Sequence, residues 1–416
     1  MKLSRLILLV VALAAPAHAQ TVAIRAGNLV DPATGAVAKN QVIVVKDGKV
    51  SAVGAQAAIP AGAEVIDLSS SWVMPGLMDS HTHLTLGSPT ELALEAEYLK
   101  AGSGLRALQG MKNAQDVLRA GFTAVKDIGN NANFADVDLR RAIEKGWFAG
   151  PTMLTTGKII APFGGQSHGI PPEMGAFWRF EYQDADTPDE VRKAVRQNIY
   201  YGANAIKLVA DNNAYYYSEA EIRAAVEEAH RAGVKVAVHV MGGEAARHVI
   251  NGGADSIEHG FQLSDELLQL MKQKGTFLGT TDFPLEHLKK MGTAGGILPP
   301  AEQSSREIVD RLKRAYKIGV KMSFGTDVVL DMTDRTRADM MLDYLDVWTQ
   351  AGVAPKDILK CMTSNVAELF GWKGQRGAIA AGEAADIIAT PANPLESIQA
   401  LKRVHFVMKD GKVIRK

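Results

Sequence analysis

The run VMPGLMDSHTHL sets two histidines, His81 and His83, one residue apart at the end of an apolar stretch. In an extended strand the side chains alternate faces, so residues i and i+2 point the same way. A strand ending in His-x-His therefore offers two imidazoles on one face, which is half of a metal site, and Asp79 lies two residues earlier. The other half must come from elsewhere, because a catalytic metal needs three or more protein ligands and an open position.

Four later segments have the same form, an apolar and β-branched run that closes on a ligand-type residue. They end at Lys207 (ANAIK), His239 (VKVAVH), His259 (DSIEH) and Asp327 (KMSFGTD). Ligand types recurring at the C-terminal ends of successive strands are what the catalytic face of a parallel barrel would produce. Each residue also has a plainer use: Lys207 as a neutral or Asp-paired buried lysine able to accept a proton, His239 as a core histidine bonded to backbone, His259 as a helix-start residue and Asp327 as a helix N-cap. Taken one at a time these uses are tolerable, but five such coincidences in chain order favour a shared site.

The middle of the chain supports that arrangement. Strand-like runs at 73–77, 122–126, 153–156, 203–209, 234–240, 256–259, 276–279 and 320–325 alternate with helical periodicity such as 219–231 and 305–317. This pattern predicts a (β/α)8 TIM-like barrel over residues 75–374. A doubly wound open sheet is the alternative, but no glycine-rich phosphate fingerprint accompanies it. Both ends instead read as short strands split by Asp-Gly turns, Asp47-Gly48 and Asp410-Gly411. They predict one small β-sandwich domain built from both termini, residues 20–74 and 375–416.

At 416 residues the chain is long enough for both units, and 47% of it is hydrophobic. Lys plus Arg and Asp plus Glu are 46 each, so nothing in the charge balance points to nucleic acid or an anionic membrane as partner. The single Cys361 excludes an internal disulfide and a cysteine-based metal cage. Residues 1–19 combine a basic start, an apolar core from Leu6 to Ala15 and the small-x-small signal Ala17-His18-Ala19. They are expected to form a secretory signal peptide, which makes the mature protein exported, periplasmic or secreted.

The segments PGLMDSHTHL, Lys207 on its strand, AHRAGVKVAVHV, GGADSIEHG, FGTD and GAIAAGEAADIIATPANPL together resemble the metal-dependent amidohydrolase superfamily. Within it they are most similar to the branch of imidazolonepropionase-like enzymes and Xaa-Pro and related dipeptidases, some members of which hydrolyse the amide of ochratoxin. The resemblance implies two divalent metal ions, usually zinc. His81, His83 and Asp327 would hold the more buried ion, and His239 and His259 the second. Lys207 would bridge them as a carbamate formed with carbon dioxide, because a free ammonium cannot bind a cation whereas the carbamate is an anion with two oxygens. The ions would generate hydroxide near neutral pH to attack an amide, with Asp327 moving the proton to the leaving nitrogen.

The substrate class implied is a small amide bearing a carboxylate, a dipeptide of the Xaa-Pro type or an N-acyl amino acid such as an ochratoxin-like amide. The alternatives are a cyclic amide or lactam, as for imidazolonepropionase, or an idle barrel used for binding. Such relatives are often homo-oligomers. The comparable family loop often carries a substrate-binding histidine, which makes His168 in APFGGQSHG a candidate, and Tyr217, in the run Tyr215-Tyr216-Tyr217, could wall the pocket. Arg179 and Arg335 could bind a carboxylate. The patterns around His230, His248, His287 and His405 point to packing or surface roles.

Overall fold

The computed structural model describes residues 21–87, 100–129, 131–167, 171–211, 215–292 and 299–416. The expected signal peptide and His168 lie outside the described residues. The first strands among the described residues are β1 (Val22–Asp31), β2 (Ala36–Lys46), β3 (Lys49–Gly54) and β4 (Glu64–Pro75). Next come β5 (Leu77–Thr82), β6 (Phe122–Asp127), β7 (Thr152–Thr155), β8 (Ile159–Ala161) and β9 (Tyr182–Asp184). They are followed by β10 (Ala205–Val209), β11 (Lys235–Gly242), β12 (Ser256–Gln262), β13 (Phe277–Gly279) and β14 (Met322–Ser323). Strands β15 (Ile387–Thr390), β16 (Phe406–Lys409) and β17 (Lys412–Arg415) end the chain.

The two termini share one sheet, ordered β17-β16-β15-β4-β1-β2-β3. Its edge β3 curls back to the segment before β15, where Val50 N–H donates to the Glu383 carbonyl and Ala385 N–H to the Gly48 carbonyl, both at 2.9 Å. The sheet thereby encloses a core of its own around Ile24, Ile43, Ile66, Phe406 and Met408. Both Asp-Gly turns are left-handed at each residue, with φ of +53° and +77° at Asp47 and Gly48 and +46° and +75° at Asp410 and Gly411. This is the backbone a two-residue hairpin requires. The two turns also touch, since a Cβ on Gly411 would lie 3.0 Å from the Gly48 Cα.

The run 73–77 proves to straddle two elements. Val73 to Pro75 complete β4 and pair with β15, whereas Leu77 opens the barrel. Gly76 is the joint: its N–H donates to the Asp386 carbonyl at 2.9 Å, and a Cβ there would stand 2.2 Å from Thr123 Oγ1. The polar Ser69–Ser71 stretch hides the continuity of the 12-residue β4 from a reading of apolar runs.

The central strands pair in parallel from β5 to β6 to β7 and from β8 through β10, β11, β12 and β13 to β14. β7 and β8 are two pieces of the third stave, and Asn204 N–H reaches the Thr155 carbonyl at 2.9 Å to link β7 to the approach to β10. Ser80 N–H donates to the Phe324 carbonyl at 2.8 Å and closes the ring between β5 and the residue after β14. The fold is a (β/α)8 TIM-like barrel with a separate sheet from the termini. β5, β6 and β10 are buried at every position, as expected of parallel strands covered by helices. The helices start on recognisable caps: Ser218 and Glu221 form a capping box before Glu219–Arg231, as Thr336 and Asp339 do before Arg337–Gln350. Among the described residues no helix is long and apolar enough to cross a membrane.

Asp136, in the first turn of helix Ala135–Glu144, is buried and accepts from Asn131 Nδ2 at 2.7 Å and Gly157 N–H at 3.0 Å. Burial, aided by the charge of Asp127, pushes its pKa from 3.8 up to about 8. Between those values the folded chain holds a proton that the unfolded chain has released. The stabilisation is therefore complete below pH about 4 and is lost as pH rises through about 8. Asp136→Asn removes this dependence, so its melting midpoint relative to wild type should rise between pH 5 and pH 8.5. Thermal melts that keep a constant offset across that range would contradict the assignment.

Candidate metal centre

Parallel strands bring their C-terminal ends to one mouth, and the ligand-type residues gather there. His81 lies in β5 and His83 one residue past it, with Lys207 on β10, His239 on β11, His259 on β12 and Asp327 four residues beyond β14. His81, His259 and Asp327 each bring one ligand atom to within 4.8 Å of the other two. Asp327 Oδ1 is 2.9 Å from His83 Nε2 and 3.5 Å from His81 Nε2, and its Oδ2 is 3.6 Å from His259 Nδ1. The rings of His239 and His259 meet edge to face, with centroids 4.3 Å apart. Lys207 is buried in the same cluster, and its charge is among the causes that hold His81, His239 and His259 below the ordinary histidine range.

Local backbone geometry makes the convergence possible. His259, Thr281 and Asp327 all have left-handed φ, +69°, +44° and +54°, a conformation that costs a non-glycine residue on the order of 1–3 kcal/mol. The turn at His259 breaks the strand alternation, so that Glu258 and His259, although adjacent, both reach the cluster. Asp327 is held in its turn by its own N–H, which donates to the His81 carbonyl at 2.8 Å.

Three of the histidines are anchored through Nδ1, which leaves Nε2 to bind: His81 by Glu258 Oε2 (2.8 Å), His83 by the Gly129 carbonyl (2.7 Å) and His259 by Thr281 Oγ1 (2.9 Å). Glu258 is completely buried and also takes Ser256 Oγ at 2.5 Å and Lys126 Nζ at 3.3 Å. A side chain on Gly279 would collide with it, the ideal Cβ lying 2.2 Å from Oε2.

Burial sets the protonation states. It lowers His81 and His259 and takes His239 down to about 3, so these three are neutral, as metal ligands must be. In His83 burial opposes the proton, but the hydrogen bond and charge of Asp327 outweigh it and hold the pKa above the ordinary value. Lys207 drops to about 8 because burial outweighs the attraction of Glu258 and Asp327.

The donor set, three neutral histidines, a further histidine on Asp327 and a carboxylate within reach of two of the three, His81 and His259, fits a divalent cation rather than a structural ion pair. The family model described as "Amidohydrolase family" matches residues 72–414. The chain belongs to the amidohydrolase family. This amidohydrolase is 27% identical over 442 residues to an ochratoxinase of Aspergillus niger, an alignment covering 96% of this chain and 87% of that protein. It is 24% identical over 400 residues to an imidazolonepropionase of Thermoanaerobacter pseudethanolicus, with 88% of each covered. A solved Xaa-Pro dipeptidase with methionine bound in its active site superposes with a TM-score of 0.82 at 26% identity, over 95% of this chain and 100% of the other. The protein is a hydrolase acting on amide bonds, and its substrate is a small molecule.

Several expected contacts of the amidohydrolase are used differently. Tyr217, expected to wall the pocket, is 1% exposed and donates its hydroxyl to the Ala185 carbonyl at 2.7 Å, so it has no surface left for a substrate. Arg179 and Arg335 are already paired, with Asp184 at 2.8 Å and Asp343 at 2.5 Å. His230, His248, His287 and His405 bond to Asp255, the Tyr217 carbonyl, Asp343 and Ser71 respectively. Glu258, Lys126 and Asp211 were not anticipated. Their signal is a charge inside or just beyond an apolar strand, as in FTAVKD and SIEHG.

If Glu258 orients His81, Glu258→Gln should lower divalent-metal affinity by about 10- to 100-fold in a zinc competition titration. Wild-type affinity in the variant would show that His81 is oriented by packing alone.

Proposed function

We propose that this amidohydrolase cleaves the amide bond of small carboxylate-bearing substrates, dipeptides of the Xaa-Pro type or N-acyl amino acids such as ochratoxin-like amides, at a centre of two divalent metal ions. The reading rests on one observation, the convergence of His81, His259 and Asp327 within 4.8 Å with His83 bonded to Asp327. His81, His83 and Asp327 would hold one ion and His239 and His259 the other, zinc being the expected metal. When bound, such ions supply Lewis acidity that acidifies water and polarises a carbonyl.

Lys207 would join them as a carbamate. A buried ammonium amid cation ligands is unfavourable. With a pKa of about 8, roughly a tenth of the side chain is the neutral, carbon-dioxide-reactive amine at pH 7, against a few parts in ten thousand for an ordinary lysine.

Asp327 is the residue placed to move the proton. Its side chain is 13% exposed, the most open of the acidic and histidine groups that touch it, and its two oxygens face different histidines. It takes the proton of the attacking water and returns it to the departing nitrogen. His81 and His83, bonded to Glu258 and Gly129, keep Asp327 in register throughout. No serine or cysteine nucleophile is needed, and Cys361 is buried with its thiol pushed up to about 12 by burial.

Asp327→Asn should keep most of the bound metal but lose 10²- to 10⁴-fold in kcat, an effect of the size expected for a general acid–base group. Wild-type turnover in this variant would refute the proton role. A hydrolysis screen of zinc-loaded enzyme against Xaa-Pro and other Xaa dipeptides, N-acyl amino acids and cyclic amides tests the substrate class. Turnover confined to cyclic amides would move the assignment to the imidazolonepropionase-like alternative, and none at all, with less than one ion bound per chain, to an idle barrel.

A further inference from the structure

The barrel closes between β5 and β14, and the chain on either side of that seam carries His81, His83 and Asp327. Before the ligands the seam is held by main chain and by Asp79, whose Oδ1 accepts the His81 N–H at 2.8 Å and the Thr326 N–H at 3.3 Å. After them the chain runs on as two loops, residues 84–87 on one side and 328–332 on the other.

Arg337 joins these loops. It lies in the first turn of helix Arg337–Gln350 and is buried. Its guanidinium donates through Nη1 to the Val328 carbonyl, and through Nη2 to the Leu86 carbonyl at 2.6 Å and to Asp331 Oδ1 at 3.1 Å. Asp331 Oδ2 in turn accepts from Gln109 Nε2 at 2.7 Å, and a Cβ on Gly87 would stand 1.9 Å from that same oxygen. The carbonyls of Leu84 and Thr85 accept from Asn113 and Arg106, bonds that anchor the first loop to its own helix, Ser103–Arg119.

The turn at Asp327 makes the tie consequential. A left-handed residue persists only where its surroundings over-determine it. Asp327, with φ of +54°, is held at its own N–H by the His81 carbonyl and, one residue on, at the Val328 carbonyl by Arg337. The same guanidinium fixes Leu86, three residues past His83. It thereby braces both ends of the 2.9 Å contact between Asp327 Oδ1 and His83 Nε2. A lysine is no substitute, because a compact ammonium lacks the planar fork that meets acceptors on two loops at once.

We propose that Arg337 is a positioning residue for Asp327: it locks the strained turn of that carboxylate against the loop that follows His83, and so holds the two side chains at the spacing that one ion and the proton transfer require. His239 and His259 are carried by β11 and β12, outside this tie, so the device serves one ion of the pair. The assignment rests on the two-ion reading under Proposed function.

Arg337→Lys keeps the charge and gives up the fork. Zinc-free wild type and variant are titrated with zinc against a chelating competitor, their zinc-free melting midpoints are recorded, and kcat and KM are measured on the best substrate of the hydrolysis screen. Wild type should take up two zinc ions per chain. In Arg337→Lys one of the two should bind about 10- to 100-fold more weakly, with the other unchanged. Its kcat should fall about 10- to 100-fold while KM stays within about threefold, the pattern of a misplaced reacting group. A general loss of structure would instead lower the midpoint and weaken both ions alike. Asp331→Asn is the companion variant: Asp331 is half-exposed, so folding is not at stake, and losing its charge loosens the guanidinium without removing it. It should show the same selective pattern at about two- to fivefold.

Wild-type zinc affinity and kcat in Arg337→Lys, or an equal weakening of both ions, would overturn the assignment while leaving the two-ion reading intact. Should Arg337→Lys fail to fold, wild-type behaviour of Asp331→Asn would overturn it equally. A wild-type protein that takes up fewer than two zinc ions would overturn that reading and this assignment with it.

Discussion

One buried carboxylate organises the mouth of the barrel. Glu258 has no solvent contact, yet it carries charge, because Lys126 and Lys207 draw it below the usual glutamate range against the cost of burial. An unpaired charge in that position would be expensive, and each of its partners is fixed by the need to satisfy it. Ser256 and Lys126 take one oxygen and His81 takes the other, so a strand on one side of the barrel sets the tautomer of a histidine on another. Gly279 on the adjacent β13 is the steric complement, since no larger residue leaves room for the carboxylate.

The same mouth stores backbone strain. Among the described residues, the non-glycine positions with left-handed φ fall in the two Asp-Gly turns, at Asn40 within β2, in the 132–134 loop and in the cluster itself, where His259, Thr281 and Asp327 adopt it together. Thr281 is also the hydrogen-bond partner of His259, and Asp327 is clamped to the His81 carbonyl, so the strained residues hold one another. Preorganisation of this kind fixes the side chains of the cluster in place, and the stability of the surrounding barrel bears its cost. The rolled sheet of the termini meets the barrel at Gly76, immediately before the strand that carries His81. The placement of His81 and His83 is thus tied to a second hydrophobic core.

Much of this was legible in the chain before folding. The alternation that puts His81 and His83 on one face is a property of any strand, and the recurrence of polar residues at the ends of apolar runs located Lys207, His239, His259 and Asp327. The paired Asp-Gly turns announced the hairpins of the terminal sheet. What misled was local resemblance to another use. Tyr217 sits beside two half-exposed tyrosines, and nothing in YYY says which ring turns inward to Ala185. Arg179 and Arg335 are unremarkable arginines until Asp184 and Asp343 are brought beside them.

The sequence by itself determined the period-two and helical patterns, the parallel barrel they require and the identity of the groups at its strand ends, because these depend only on neighbours along the chain. Which nitrogen of each histidine is anchored, that Glu258 and Lys126 meet across the barrel, and that Asp211 faces His239 were decided only by the tertiary structure. Those contacts join residues tens to more than a hundred positions apart, and only the closed ring of strands, with its buried charges forced to find partners, brings them within hydrogen-bonding or ion-pairing distance.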